Sequence, residues 1–373
     1  MKKPNLRIGK SFITMLVLST SMMSMTGVTF ADQITTNAPP SVTIQGVTWY
    51  QISTTAQLEY IDQNQGKYLN ANIALMNDLD LTGFSWTPFG AIAPFKGTFN
   101  GQGYGVSGVT VNEPSTDDVG FFGYTLGSNI ENLHINDTIT GSYYVGGLVG
   151  DQSGGTITDS YATGSVKGSN SVGGLVGAQS GGAITDSYAT ASVNVSGSVA
   201  GGLVGFQENG TIADSYATGS VNGSNYVGGL VGSSYVSNLI GSYATGSVEG
   251  STDVGGLVGG FGQGNSISDN YFDTTTTGQS QGIGSGSLPG VFGEVDTAMK
   301  TEATFSSWDF SKTWGIYSAF NQGYPYLLND FNSKGAGGGV VGQMPEVPLA
   351  GVLPLLGLAG VGAFWLRRRQ SVK

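Results

Sequence analysis

Apolar residues in this chain alternate with polar ones in short bursts rather than recurring at helical spacing. In Tyr161 to Val166, the small and apolar residues Ala162, Gly164 and Val166 share one parity, while Tyr161, Thr163 and Ser165 share the other. That period of two marks a strand with one buried face. Turn residues separate the bursts: Ser153-Gly154-Gly155, Lys167-Gly168-Ser169-Asn170 and Gly173-Gly174. Across this unit no apolar set recurs at i, i+3, i+4 and i+7, so strands are predicted. A helix is predicted from Thr55 to about Asn64, where Thr54 and Gln57 form a capping box ahead of Leu58 and Ile61.

The bursts repeat. Gly-Gly-Leu-Val-Gly begins at Gly146, Gly173, Gly201, Gly228 and Gly255, at intervals of 27, 28, 27 and 27 residues. Ser-Tyr-Ala-Thr begins at Ser160, Ser187, Ser215 and Ser242, at intervals of 27, 28 and 27. A propeller blade needs about 40 or more residues, so the period points to a β-solenoid with two or three short strands per coil. A single coil cannot bury its inner face, so coils must stack. The predicted fold is all-β, a right-handed parallel β-helix over about Phe95 to Asp273. Val145, Ile157, Val166, Val172, Ile184, Val193, Ile212, Val221 and Val248 are its expected inward set.

Val145-Gly-Gly-Leu-Val-Gly150 followed by Ser160-Tyr-Ala-Thr-Gly-Ser-Val166 resembles the GLUG repeat. That resemblance implies a bacterial surface protein. GLUG repeats occur in large adhesin-like proteins and in non-catalytic regions of some immunoglobulin-cleaving metallopeptidases. The flanks resemble the surroundings of such repeats too: Asn77 to Leu81, Phe95 to Gly101 and Val106 to Asn112 before them, and Trp308-Asp-Phe310, Trp314 and Tyr324 to Leu327 after them. The similarity spans roughly Thr48 to Leu328 and is specific for architecture, not for activity.

Both ends have a different texture. Lys2, Lys3, Arg7 and Lys10 precede an apolar stretch and Thr29-Phe30-Ala31, the pattern of a secretory signal peptide over residues 1–31. The remaining expected divisions are an N-terminal cap with first coils (32–95), the repeats (96–273), a C-terminal cap (274–332), a Gly/Pro linker (333–346) and an anchor (347–373). Val347 to Leu366 is a charge-free run long enough to cross a bilayer as a helix, and Arg367, Arg368 and Arg369 follow it, a cytoplasmic-side signal. With Met344-Pro-Glu-Val-Pro348 before it, this end resembles the three-part sorting tails of surface proteins, especially the PEP-CTERM kind read by an exosortase-like enzyme. It reads Pro-Glu-Val-Pro rather than Pro-Glu-Pro and has no Leu-Pro-x-Thr-Gly for a sortase. An exported protein held at the cell surface is expected.

Composition narrows the chemistry. The chain has 63 Gly and no Cys, which excludes disulfides, thiol catalysis and Cys-based zinc sites. Between Asp32 and Met344 there are 24 acidic residues, 6 lysines and no arginine, a net charge of −18. Such a surface repels nucleic acid. A lyase base or a clamp for uronic acids is hard to build without arginine. The one histidine, His134, lies between Leu133 and Ile135, and alternation turns it toward solvent. There is no His-Glu-x-x-His, so no metallopeptidase activity carries over. Asp78 and Asp80 share a face by strand spacing, while Asp117 and Asp118 are adjacent and point apart.

Two ladders remain as candidate sites. Tyr161, Tyr188, Tyr216, Tyr243 and Tyr271 recur in step; facing outward, they form a strip of rings suited to stacking on sugars or a protein partner. Asp159, Asp186, Asp214 and Asp269 recur likewise and offer carboxylates to calcium, or solvated turns with Asx-type hydrogen bonds; Gly241 interrupts them. Trp308, Phe310, Trp314, Ile316, Tyr324 and Tyr326 are expected to plug the far end. The expected function is a non-enzymatic stalk or adhesin without a cofactor, whose partner is a surface glycan or a protein of a host or neighbouring cell. The alternatives are a polysaccharide lyase or hydrolase of the β-helix kind, and a surface-layer or matrix component.

Overall fold

Each 27-residue unit closes one coil of a parallel β-solenoid, seen in a computed structural model that describes residues 37–285 and 288–331. The expected signal peptide, linker and anchor lie outside the described residues. A representative coil has four strands rather than two or three: Tyr143–Gly146, Val149–Ser153, Thr156–Thr158 and Tyr161–Gly168. They contribute to four faces, here called the Val-Gly, Gln, Ile and Tyr faces. Two features divide the coil. Gly146-Gly147 turns the Val-Gly strand sharply into the Gln strand, and Gly154-Gly155, with φ of 69° and 72°, turns the Gln strand into the Ile strand. The Ile face alone has eight parallel rungs from Asn72–Leu75 to Ser266–Ser268.

Register follows the sequence period. Val145 pairs with Val172, Ile157 with Ile184, and Val166 with Val193. All nine residues expected inside are at 3% exposure or less. Each such side chain stabilises the stack by roughly 1.5–3 kcal/mol. The paired glycines are required sterically. A Cβ on Gly173 would lie 2.0 Å from the Val176 carbonyl oxygen, and one on Gly174 would lie 2.2 Å from that of Gly202 in the next coil.

The repeated serines hold coil to coil. Ser187 Oγ donates to the Thr185 carbonyl (2.7 Å) and accepts the Ser160 amide of the preceding coil (3.2 Å). Ser215 and Ser242 repeat the arrangement, and Asn270 ends it by accepting the Ser242 amide. A second buried polar series, Thr125, Gln152, Gln179, Gln207 and Ser234, runs along the Gln face. Each of its glutamines donates to a carbonyl of the following coil.

The first described strands form a hairpin, Ser41–Ile44 with Val47–Ile52, which turns through Gln45 and Gly46 at φ of 51° and 82° and then leads into the parallel stack. The predicted helix is present at Thr55–Gln63 with both capping-box hydrogen bonds, and it buries Leu58 and Ile61. The C-terminal aromatics do not plug the end of the solenoid. Residues 296–331 instead run back along its flank, over the Tyr face. Burial along the flank costs less backbone desolvation than covering open strand edges, because the flank's backbone groups are already paired.

Candidate functional site

The tyrosine ladder forms, on the outward parity of its strands, but it is not a free surface. Tyr216, Tyr243 and Tyr271 are buried at 3%, 0% and 5% exposure, under Met299, Phe305, Trp308, Trp314, Tyr324 and Leu327. Tyr161 and Tyr188 are half-buried. The expectation of an exposed strip is therefore corrected: outward parity was right, but a segment distant in sequence covers the rings. Neighbouring rings stack 4.5, 4.6 and 5.0 Å apart from Tyr161 to Tyr243, tilted by no more than 19°. This spacing is the coil-to-coil repeat itself, so parallel stacking needs no side-chain strain.

His134 is the first rung of the same ladder. Its ring stacks on Tyr161 at 4.1 Å and is only 6% exposed, contrary to the solvent-facing expectation. Burial drives its pKa down to about 4, so the ring is neutral at ordinary pH. It packs as an aromatic ring against Tyr161.

The cover is pinned by polar contacts as well as by rings. Tyr243 OH donates to the Pro325 carbonyl (2.5 Å) and accepts from Asn321 Nδ2 (2.6 Å). Trp308 Nε1 donates to the Asp269 carbonyl, and Ser307 Oγ to its carboxylate. Trp314 Nε1 reaches Asp214 at 3.4 Å, and Asn329 Nδ2 reaches Asp159 at 3.0 Å. The Tyr324 hydroxyl sits 2.8 and 2.5 Å from Asp273 and Asp296. Lys300 Nζ lies 2.7 Å from Asp296 and holds that carboxyl below its usual range, helped by the Tyr324 hydroxyl.

The aspartate ladder has a conformational explanation. Asn132, Asp159, Asp186, Asp214, Gly241 and Asp269 all take left-handed backbone, with φ between 45° and 58°. They form the corner between the Ile and Tyr faces in six successive coils. Asp, Asn and Gly are the residues that tolerate this geometry, so Gly241 continues the series rather than breaking it. Burial, then the neighbouring Asp159 and Asp214, push Asp186 up to about 6. Burial also raises Asp214, whose Trp314 contact works in the other direction. Among the described residues no group of three or more His, Asp or Glu is placed to hold a metal.

Other acidic residues are placed where the sequence did not point. Asp137 faces the lumen at 3% exposure with no hydrogen bond to either oxygen, and burial raises its pKa well above the usual carboxylate range. It is aligned with Gly164, and the missing side chain of Gly147 leaves it room. On the outside of the Gln face, burial and then Asp118 push Asp151 up to about 6. Asp78 precedes the two-residue strand Leu79–Asp80 and accepts the Gly105 amide, while Asp80, in that strand, accepts the amide of Thr82. An open cleft of about 460 Å³ lies on the cover, lined by Glu302, Ala303, Phe305, Ser306, Trp308 and Phe310.

Comparison with known proteins agrees with this architecture. Residues 141–167, 168–194 and 196–222 match the GLUG motif. Halomucin of Haloquadratum walsbyi is 35% identical over 113 residues, 28% of this chain, and the match spans about 1% of halomucin's length. A solved structure from Bacteroides ovatus, described as a candidate immunoglobulin A1 protease, superposes with a TM-score of 0.57 at 19% identity. That match covers 75% of this chain and 92% of the other. It is a likeness of fold.

Proposed function

We propose that this chain is a non-enzymatic module displayed at the bacterial cell surface, a β-helical rod that makes adhesive contacts through flat coil faces. One observation carries the reading: the aromatic ladder, its best ready-made ligand strip, is occupied by the chain's own C-terminal segment. Contacts with a glycan or a neighbouring protein then fall to exposed side chains such as Tyr143, Tyr144, Tyr226 and Tyr235. The GLUG matches and the resemblance to halomucin support an extracellular setting. The expected export signal would send the chain out, and the apolar tail with Arg367 to Arg369 behind it would hold it at the envelope.

The cover also bears on how the rod is held. Asn329 reaches Asp159, at the end of the fourth of the eight Ile-face rungs, so the last described residues lie at mid-flank. A tether there holds the rod by its side rather than by its tip. The test compares cells producing the full chain with cells producing a form ending at Gln343. The full chain should stay with the cells and confer binding on a glycan or cell-adhesion array, and the shorter form should appear in the medium. Equal release of both forms would defeat the anchor, and an unchanged array signal would defeat the adhesive role.

A second reading, a carbohydrate-active enzyme, draws on Asp118 and Asp151, two half-buried carboxyls whose pKa values are raised by burial and by their neighbouring carboxylates, because a carboxyl that keeps its proton beside a second carboxylate suits acid–base hydrolysis. Release of reducing ends or unsaturated sugars from polysaccharides by the full chain, lost in Asp151→Asn, would favour it.

A further inference from the structure

The N-terminal hairpin ends the ten-stranded Ile face with an open edge. Ser41–Ile44 is the outermost strand of that sheet, antiparallel to Val47–Ile52. The Gln51 amide donates to the Pro40 carbonyl. By antiparallel alternation, Val42 and Ile44 then bond inward to Trp49 and Val47. The amides and carbonyls of Ser41 and Thr43 therefore point away from the sheet, and among the described residues no strand lies beyond them.

Natural sheets blunt such edges with charge, proline or a bulge. This strand has none of the three within it. Its outward side is apolar: Val42 sits opposite Trp49, and Ile44 opposite Val47, with Ile44 at 46% and Val47 at 45% exposure. The chain from Gln33 to Leu58 carries no charged residue, although residues 32–344 have a net charge of −18. An edge without charge lets two copies approach with little repulsion.

We propose that two copies of this chain pair through Ser41–Ile44 to form a head-to-head dimer. A two-fold axis at Val42 sets Ser41 of each copy opposite Thr43 of the other. Both residues present their backbone groups outward, so each such pair closes a complete antiparallel hydrogen-bonded unit. Val42 faces Val42 of the second copy as a non-hydrogen-bonded pair, and the Ile face becomes one sheet running through both rods. The symmetry closes, so a dimer results rather than a filament. The far end of the same face does not offer a matching edge. There Gly290 lies against the Ile267 carbonyl, with its missing Cβ 2.4 Å from that oxygen, and Asn270 donates to the Gly290 carbonyl.

The absence of cysteine makes a direct test possible. In the pairing, the Val42 Cα atoms are roughly 4.5 Å apart, within the disulfide range. Full chain carrying Val42→Cys, oxidised under mild conditions, should form a disulfide dimer at twice the chain mass. Ile92→Cys, at a site 92% exposed, reports random collision and should give little dimer. Adding Thr43→Pro to Val42→Cys removes an amide that faces away from the hairpin, so the fold persists while the dimer yield falls by about tenfold, as loss of a donor from each copy implies. Val42→Cys yield no higher than that of Ile92→Cys would overturn the proposal. So would a yield untouched by Thr43→Pro, or cross-linked species of mixed mass.

Discussion

Tyr243→Ala measures how firmly the C-terminal segment is bound to the solenoid. The ring is fully buried between Tyr216, at 5.0 Å, and Trp308 and Trp314, at 6.0 and 5.8 Å. A tyrosine buries roughly 150–250 Å². At about 25 cal/mol per Å² this is about 4–6 kcal/mol, an upper bound because the unfolded chain already hides part of that area. Truncation to alanine should therefore cost about 3–5 kcal/mol. Tyr243→Phe keeps the ring and loses only the hydroxyl contacts to Pro325 and Asn321. Asn321 still bonds the Pro325 carbonyl, so this variant should lose about 1 kcal/mol. Urea melts followed by tryptophan fluorescence read both changes, since Trp308 and Trp314 report on the cover. A loss below about 1 kcal/mol for Tyr243→Ala, typical of an exposed site, would refute the covered ladder.

Substitutions at three further positions test separate parts of the framework. Asp137→Ala places at this position the residue type that Ala191 supplies two coils later; it should stabilise the chain by about 1–4 kcal/mol at pH 8 in urea melts. Asp137 binds its proton more tightly when folded, so its contribution is complete below pH 3.8 and is lost as pH rises through its raised folded value; the variant should lack that fall. Ser187→Ala leaves the Ser160 amide buried without its acceptor and should cost about 1–3 kcal/mol by denaturant midpoint. Asp186→Gly should be neutral within about 0.5 kcal/mol, whereas Asp186→Ala, forced into left-handed backbone, should cost about 1–2 kcal/mol; equal costs would mean that the carboxylate, not the turn, is what matters.

The coils were legible because their causes are local and repeated. Alternation placed Val145, Ile157 and Val166 inside, and the constant interval set their register. The helix at Thr55 was legible from its own capping box. The cover was not, because parity says which way Tyr243 points but not what lies over it; the answer comes from Trp308 and Trp314, more than sixty positions on. His134 was misjudged for the same reason: its stacking partner, Tyr161, lies one coil away. The corner series was visible in part. The interchange of Asp, Asn and Gly at Asn132, Asp159 and Gly241 is the mark of left-handed backbone. A second left-handed series runs through Asp118, Tyr144, Ser171, Val199, Tyr226 and Asp253; only its two ends carry Asp, the four residues between give no such sign, and Val199 holds the conformation against its branched side chain.

Labelling intact cells with a membrane-impermeant maleimide tests most directly the claim of a solenoid displayed at the surface. Single cysteines would be placed in the full chain at Tyr143, which is 48% exposed on the Val-Gly face, and at Val172, which is fully buried in the lumen. Tyr143→Cys should label on intact cells, and Val172→Cys only after denaturation. Labelling of Tyr143→Cys that requires broken cells would contradict surface display, and labelling of Val172→Cys at the same rate as Tyr143→Cys would contradict the packed coil.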